Sequence, residues 1–364
     1  MKNVFLVLVI GLSLFAGCSR EDDTEGLSTL SVDLSKTEDL LLSNGKILNI
    51  ETSDSSLLYS YANILKSDGR LFIHSRDLLK IFDPVTGKYL GRLGRKGNGP
   101  AEYASINQVW MEGDTVRLFD FNTRSVLSFK PDGTFISKVN PYLGDNSRTN
   151  DLKFPVYVMK YPDSSGYIGL NCFTDGTTET NPTASFYDND LGFVSDIRGR
   201  ELREGGNLND RMSADLENGR MLMWEGLKDT LFTVTKTDIR PLYAFDFGKN
   251  RFPPEYQNLP ELFGRAQKFR EGKDVPYASA MHCFQKQGDR IFFSFSTSDE
   301  RFFLGMIDIG NKTVRTFRLV SPYGRFSQSS YMTMMDGSLY ISLTDGDSPE
   351  SNQPLFIIPT NYFD

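Results

Sequence analysis

The chain has 364 residues, of which 39% are hydrophobic, 13% aromatic and 24% charged, enough apolar material for a sizeable core. Forty Lys and Arg residues against 47 Asp and Glu residues give a net charge of −7, which argues against binding of nucleic acid through a basic surface. Two His and three Cys residues exclude a histidine-rich metal cluster and a disulfide scaffold.

The first 17 residues have the pattern of an export signal. Lys2 supplies a positive charge, and residues 4–15 form an apolar stretch that is too short to span a bilayer. Ala16, Gly17 and Cys18 then form a small-residue cleavage site. The pattern resembles a bacterial lipoprotein signal, which implies that Cys18 is acylated and that residues 1–17 are removed. The alternative is an ordinary secretory signal in which Cys18 occurs by chance.

Residues 18–45 are predicted to be an acidic tether and lead-in. The run Ser-Arg-Glu-Asp-Asp-Thr-Glu at 19–25 is too acidic to pack in a core, and it predicts a solvated linker. It also resembles the acidic export signal of surface lipoproteins in Bacteroidota. That resemblance implies a lipid-anchored protein on the outer face of the outer membrane.

From residue 46 onward, strand units repeat at intervals of roughly 45 to 50 residues, a period typical of four-stranded propeller blades. The strands are separated by turns such as Pro131-Asp132-Gly133, which are strong hairpin signals. Six units can be counted over residues 46–364, and residues 46–52 are predicted to supply the outermost strand of the last blade. A β-sandwich or a two-domain β protein does not predict six similar units. We therefore predict an all-β fold, a six-bladed β-propeller.

One segment, at about 253–272, departs from the strand pattern. Pro254 opens it, and Leu262, Ala266 and Phe269 follow at helical spacing before Gly272. We predict an inserted helix on one rim, between the fourth and fifth blades. Such a helix either covers apolar rim surface or acts as a lid or partner-binding element.

Residues 93–103, Leu-Gly-Arg-Lys-Gly-Asn-Gly-Pro-Ala-Glu-Tyr, resemble a signature of the six-bladed β-propeller lipoproteins of Bacteroidota, a TolB-like propeller family. The resemblance is most specific over residues 46–139. It implies the fold and the compartment, and it implies no particular chemistry.

The same loop is the densest candidate for ligand binding. Its glycines permit close backbone approach, and its cations are suited to a carboxylate or an acidic sugar. The alternative is a structural loop in which Arg95 and Glu102 lock the crossing between two blades. A second loop, which contains Tyr323 and Arg325, is a weaker candidate for an exposed binding surface. The candidate ligand contacts are Arg95, Lys96, Asn98, Glu102, Tyr323 and Arg325.

No complete catalytic set is visible in the sequence. Aspartates recur near strand ends, where they would suit Ca²⁺ if they converged in a channel, although such residues usually serve their own turns. His74 and His282 have no nucleophile elbow beside them in the sequence. Cys172 and Cys283 fall in blades that are not neighbours, which favours two separate thiols over a disulfide.

We therefore favour a non-catalytic binding or scaffold propeller for a glycan, a peptide or an envelope protein, with no cofactor and no nucleic-acid partner. Its membrane contact would be the lipid on Cys18. A subunit of a membrane assembly has the same sequence features. The alternative is a metal-dependent hydrolase, lactonase-like or glycan-cleaving, with Ca²⁺ in the central channel.

Overall fold

The computed structural model describes residues 27–59, 61–139, 154–172, 181–202, 211–215, 217–259, 262–272, 274–321, 331–342 and 351–364. These residues form six antiparallel blades and one two-stranded ladder. The strands in chain order are β1 (Ser28–Ser31), β2 (Glu38–Leu41), β3 (Lys46–Leu48), β4 (Asn63–Ser67), β5 (Arg70–Ser75), β6 (Leu78–Phe82), β7 (Tyr89–Arg92), β8 (Arg95–Lys96), β9 (Glu102–Tyr103), β10 (Gln108–Glu112), β11 (Thr115–Asp120), β12 (Ser125–Phe129), β13 (Phe135–Val139), β14 (Phe154–Lys160), β15 (Tyr167–Cys172), β16 (Asn181–Tyr187), β17 (Phe193–Leu202), β18 (Arg211–Asp215), β19 (Arg220–Trp224), β20 (Thr230–Val234), β21 (Ile239–Asp246), β22 (Ala278–Gln287), β23 (Arg290–Thr297), β24 (Phe302–Asp308), β25 (Thr313–Val320), β26 (Met332–Met335), β27 (Ser338–Ser342) and β28 (Leu355–Pro359).

The six blades form the predicted six-bladed β-propeller. Blades 1 to 5 begin with β4, β10, β14, β18 and β22, and blade 6 begins with β26. These six innermost strands contact one another in a closed ring, so each blade presents its first strand to the central channel. Aromatic residues fill the space between blades, as the sequence predicts. Between blades 4 and 5, the rings of Phe284 and Phe293 stack with centroids 5.0 Å apart, in a cluster that includes Trp224.

The ring is closed by the predicted N-terminal strand. β3 pairs antiparallel with β28, with Leu48 opposite Leu355. The strand is shorter than the predicted 46–52, because it ends at Leu48. A strand from the N-terminal part of the described chain and the last strand therefore share blade 6.

Two further strands lie before β3, within the segment predicted as a lead-in. β1 adds in parallel to the outer strand of blade 4, and β2 adds in parallel to the outer strand of blade 5. Each buries one leucine completely, Leu30 and Leu40. We call residues 28–48 the N-terminal belt, because they pair in succession with the outer strands of blades 4, 5 and 6. The strands β1 and β2 were not predicted from the sequence, because four residues are too few to show an alternating pattern.

The rim insertion lies between blades 4 and 5, as predicted, but it contains two helices instead of one. They are α1 (Pro254–Gln257) and α2 (Leu262–Arg270), and Pro260 in the sequence between them has no N–H to continue a helix. Phe269 packs against Phe252 and Leu227. Neither of these helices has the length and apolar character needed to cross a membrane.

Candidate functional site

The central channel contains a cavity of about 410 Å³. Every blade contributes to its wall from its innermost strand, for example through Asn63, Trp110, Tyr157, Arg211, Gln285 and Thr333. A cavity of this size falls within the range of small-ligand sites. The ring of strands therefore provides one site to which all six blades contribute.

Aromatic and sulfur-containing side chains make up much of the wall. The chain has two Trp residues, and both Trp110 and Trp224 line the cavity together with Tyr157, Tyr331 and Met159. Such side chains supply large contact areas for the faces of sugars and other ring-shaped groups. The two indoles also make intrinsic fluorescence a direct report on the channel.

Amide and tyrosine side chains bridge neighbouring blades around the channel. Asn63 Nδ2 on blade 1 donates to the Val109 carbonyl oxygen on blade 2 at 2.6 Å. Asn63 Oδ1 accepts a hydrogen bond from the Tyr331 hydroxyl at 2.9 Å. Tyr331 immediately precedes the first strand of blade 6. A single half-buried amide thus joins three consecutive blades.

Further bridges continue around the ring. Gln108 Oε1 on blade 2 accepts from the Val158 N–H on blade 3 at 2.7 Å, and the Tyr157 hydroxyl donates to the Met212 carbonyl oxygen on blade 4 at 3.4 Å. Gln285 Oε1 on blade 5 accepts from the Met334 N–H on blade 6. Bridges of this kind fix the width of the channel, so the cavity is preformed.

Replacing Gln108 by leucine is expected to lower the free energy of unfolding by about 1–3 kcal/mol, because the buried Val158 N–H loses its acceptor. Urea denaturation measures the change. Gln267→Leu is the matched control, since Gln267 is exposed on α2 and its replacement should change stability by less than about 0.5 kcal/mol. Equal effects of the two substitutions would show that the bridge contributes nothing to the ring.

Burial shifts the pKa values of three ionisable groups in the described cavity wall toward their neutral forms. Burial raises the pKa of the Cys283 thiol, which keeps it protonated near neutral pH. Burial lowers the pKa of His74, whose Nε2 lies 2.5 Å from the Arg76 carbonyl oxygen. Burial also raises the pKa of Tyr157 to about 12. Near neutral pH these three side chains are therefore uncharged.

The described wall offers no carboxylate to Ca²⁺. Calcium takes six to eight oxygen ligands, with carboxylates prominent among them, and no described residue lining the cavity is Asp or Glu. In the described part of the chain, no group of three or more His, Cys, Asp and Glu side chains could hold a metal ion. Among the aspartates near strand ends, Asp83 serves its own turn, because its Oδ1 accepts the N–H groups of Val85 and Thr86.

The loop of residues 93–103, which we call the glycine-rich loop, contributes no residue to the described channel wall. Its charged side chains form ion pairs. β8 and β9 form a short parallel ladder within it. Arg95 pairs with Glu102, Glu102 Oε2 accepts the Gly99 N–H at 2.8 Å, and Lys96 Nζ lies 2.8 Å from Asp77 Oδ2. The Gly99 N–H and then Arg95 hold the pKa of Glu102 below its usual value.

The glycines of this loop have structural reasons to be there. A Cβ on Gly97 would lie 2.1 Å from Glu102 Oε2, so a larger residue would displace that carboxylate. Asn98 is exposed. Ligand contact by Arg95, Lys96, Asn98 and Glu102 stays a prediction, and any ligand there would compete with existing ion pairs.

Some predicted residues fall outside the described part of the chain. These are Cys18, Tyr323 and Arg325, together with the side chains of Cys172 and His282. Cys283 carries a free thiol. Conversely, sequence reasoning missed Asn63 and Gln108 as channel residues. The available signal was their position at the start of a blade, because the first strand of each blade faces the channel.

A family model described as "Domain of unknown function (DUF4934)" matches residues 29–347. This range includes part of the belt and all or part of every blade. No protein among curated sequences matches the chain significantly.

Several solved structures from Bacteroides share the fold. A Bacteroides fragilis protein described as exported is 14% identical with a TM-score of 0.66, covering 91% of this chain and 99% of that one. A DUF4221 family member from Bacteroides vulgatus is 13% identical with a TM-score of 0.56, covering 86% and 96%. A Bacteroides thetaiotaomicron protein of unknown function is 10% identical with a TM-score of 0.52, covering 91% and 75%. At these identities the likeness shows the fold alone.

Proposed function

The chain belongs to the DUF4934 family, and from its propeller fold and its channel we propose that it is an exported, non-catalytic binding module whose ligand enters the central channel. The observation that carries this proposal is the cavity of about 410 Å³ lined by both Trp residues and by the first strand of every blade. A site of this size suits one or two sugar units of a glycan, or the end of a peptide. A larger envelope partner would present such a group to the channel mouth.

The ring of bridges supports binding rather than chemistry. The amide oxygens of Asn63, Gln108 and Gln285 accept hydrogen bonds from neighbouring blades. These bonds preform the wall, which lowers the conformational cost of binding. Cys283 stays protonated because burial raises its pKa. The calcium-dependent hydrolase has no support in the described wall, which lacks carboxylates.

A ligand screen followed by tryptophan fluorescence and thermal melting tests this function. An oligosaccharide or peptide that binds should stabilise the protein by about 2.7 kcal/mol at 100 times its dissociation constant. We expect Ser213→Leu, which puts a larger apolar side chain at the cavity wall, to abolish that shift, and Lys96→Ala in the loop to leave it unchanged. The reverse result would move the site to the glycine-rich loop. The melting temperatures with EDTA and with millimolar Ca²⁺ should be equal. A higher melting temperature with Ca²⁺ would favour the calcium-dependent hydrolase instead.

For location, we propose a TolB-like propeller lipoprotein of the outer membrane that faces the cell surface. The leader pattern ending at Cys18 and the acidic run at 19–25 support this location, and a fold relative described as exported is compatible with it. Cys18→Ser should move the protein from the membrane fraction to the soluble fraction. Deletion of residues 20–25 should leave it anchored but protected from protease added to intact cells. A Cys18→Ser variant that remains with the membranes would contradict the lipid anchor.

A further inference from the structure

We propose that the propeller rests on the lipid surface through one arc of its rim, with the cavity on the side that points away from the membrane. This inference rests on the proposed function, since it takes Cys18 as the membrane anchor. Its basis is the direction of the strands and the position of the exposed apolar side chains.

The two faces of the disc carry different strand ends. The first strand of each blade begins where the chain arrives from the preceding blade, and we call this side the connecting face. Because successive strands of a blade are antiparallel, the turn between the third and fourth strands lies at the opposite side, which we call the far face. Asn63, Gln108 and Met332 line the cavity and are the first residues of their strands. The cavity therefore lies toward the connecting face.

Large apolar side chains are exposed where the outer strands of blades 1 to 3 begin, at the far face. Leu90 and Ile136 are the second residues of β7 and β13, and Phe193 and Val194 open β17. Together with Val85, in the turn before β7, these side chains are 40–69% exposed. We call these five residues the apolar arc. Among the described residues, the fourth strands of blades 4 to 6 carry no large apolar side chain of comparable exposure.

The belt brings the N-terminal chain in from the same side. β1 pairs in parallel with β21, the fourth strand of blade 4, with Ser28 opposite Tyr243 and Ser31 opposite Asp246. Fourth strands run from the far face to the connecting face, so the chain enters β1 from the far-face side. Residues 18–26 can extend over at most about 30 Å. A lipid on Cys18 therefore holds the disc beside the membrane with its far face toward the lipid.

The chemistry of the apolar arc suits the interface of a bilayer. Removing exposed apolar area from water is favourable, and peripheral proteins bury such side chains at the boundary between headgroups and acyl chains. Charges of both signs flank the arc, for example Asp83 and Lys88, so we expect the contact to depend on apolar area rather than on net charge. The anchor raises the effective concentration of lipid at the arc, so a few side chains suffice.

Quenching by brominated phosphatidylcholine tests the contact, because bromine on the acyl chains quenches only a tryptophan that reaches them. The native Trp110 and Trp224 line the cavity inside the ring and provide a constant background. The mature chain, with Cys172 and Cys283 replaced by serine, is coupled through Cys18 to a maleimide-bearing lipid in phosphatidylcholine vesicles. This anchor does not depend on acylation in the cell.

A tryptophan on the arc is compared with one near the connecting face. After subtraction of the background, we expect the emission of Ile136→Trp to be at least about twofold lower in brominated than in unbrominated vesicles. Val275→Trp is the matched control, because Val275 is 42% exposed and lies between α2 and β22, at the connecting face. Its emission should be equal in the two kinds of vesicle.

Further variants separate the apolar arc from the tether. Replacing Leu90, Phe193 and Val194 together by serine should reduce the quenching of Ile136→Trp at least about twofold, because apolar area is lost. Leu41→Ser, which changes an exposed leucine outside the arc, should leave the quenching unchanged. Raising the salt concentration to about 1 M should also leave it unchanged, since salt screens charges and not apolar contacts.

Each adverse result has a separate meaning. Equal emission of Ile136→Trp in both kinds of vesicle would overturn the membrane contact and leave the apolar arc to a protein partner. Quenching of Val275→Trp instead would reverse the orientation and place the cavity against the lipid. Serine replacements without effect would overturn the role of the arc. The anchor itself is tested separately in cells, because a Cys18→Ser variant that stays with the membranes contradicts it whatever the vesicles show.

Discussion

Replacing Arg265 by alanine is expected to lower the free energy of unfolding by about 3–5 kcal/mol. Arg265 Nη1 lies 2.5 Å from Glu225 Oε1, and both side chains are only 6% exposed. The substitution leaves the buried Glu225 carboxylate without this guanidinium, although Lys228 Nζ still lies 3.2 Å from Glu225 Oε2. Because this pair joins α2 to blade 4, the loss should appear as a lower urea midpoint for the whole propeller.

Two further variants separate the ion pair from general effects on the helix. Arg270→Ala removes an exposed arginine from the end of the same helix and should cost less than about 0.5 kcal/mol. The double variant Arg265→Met with Glu225→Leu removes both charges and should recover much of the lost stability. If Arg265→Ala behaves like Arg270→Ala, the pair does not hold the rim helix in place.

Replacing Leu40 by alanine should lower the free energy of unfolding by about 2–5 kcal/mol. Leu40 is fully buried in β2, where it lies opposite Leu319 of blade 5. Its neighbour Leu41 is 44% exposed, so Leu41→Ala changes the same residue type in the same strand with little loss of burial. We expect that control to cost less than about 0.5 kcal/mol.

Comparison of these two variants by urea denaturation measures whether the belt is part of the cooperative fold. A large difference shows that β2 unfolds together with blade 5. Equal, small effects would mean that the belt detaches before the propeller unfolds, and the belt would then contribute nothing to global stability.

The blades could be predicted because each hairpin has its turn residues and its apolar strands close together in the sequence. Asp68-Gly69, for example, follows one apolar run and precedes another, and both residues have positive φ in the structure, which such turns require. The rim helix was predicted in place because Ala266 and Phe269 have helical spacing, and both belong to the cluster that covers Phe252. Its division into two helices was missed, although Pro260 was visible in the sequence.

The residues that line the channel could not be predicted, because they are far apart in the chain. Asn63 and Tyr331 meet only when the ring closes. The position of Asn63 at the start of a blade indicates that it faces the channel, but it does not indicate its partner. The glycine-rich loop drew attention instead, since Arg95, Lys96 and Glu102 are close in sequence. In the structure Arg95 pairs with Glu102 within the loop, and Lys96 pairs with Asp77 of blade 1.

The belt also imposes an order of assembly on the molecule. Ser28 pairs with Tyr243, and Leu48 pairs with Leu355, so these strands meet partners that are made long after them. Blades 1 to 3 are each built from strands that follow one another in the chain, so they can form as hairpins first. Until blades 4 to 6 are made, the belt has no partner strands and its leucines are exposed. Pairing over such separations is slow, and waiting strands are open to wrong partners. Of the three belt strands, β3 is therefore the last whose partner is synthesised, and the ring stays open until blade 6 has formed.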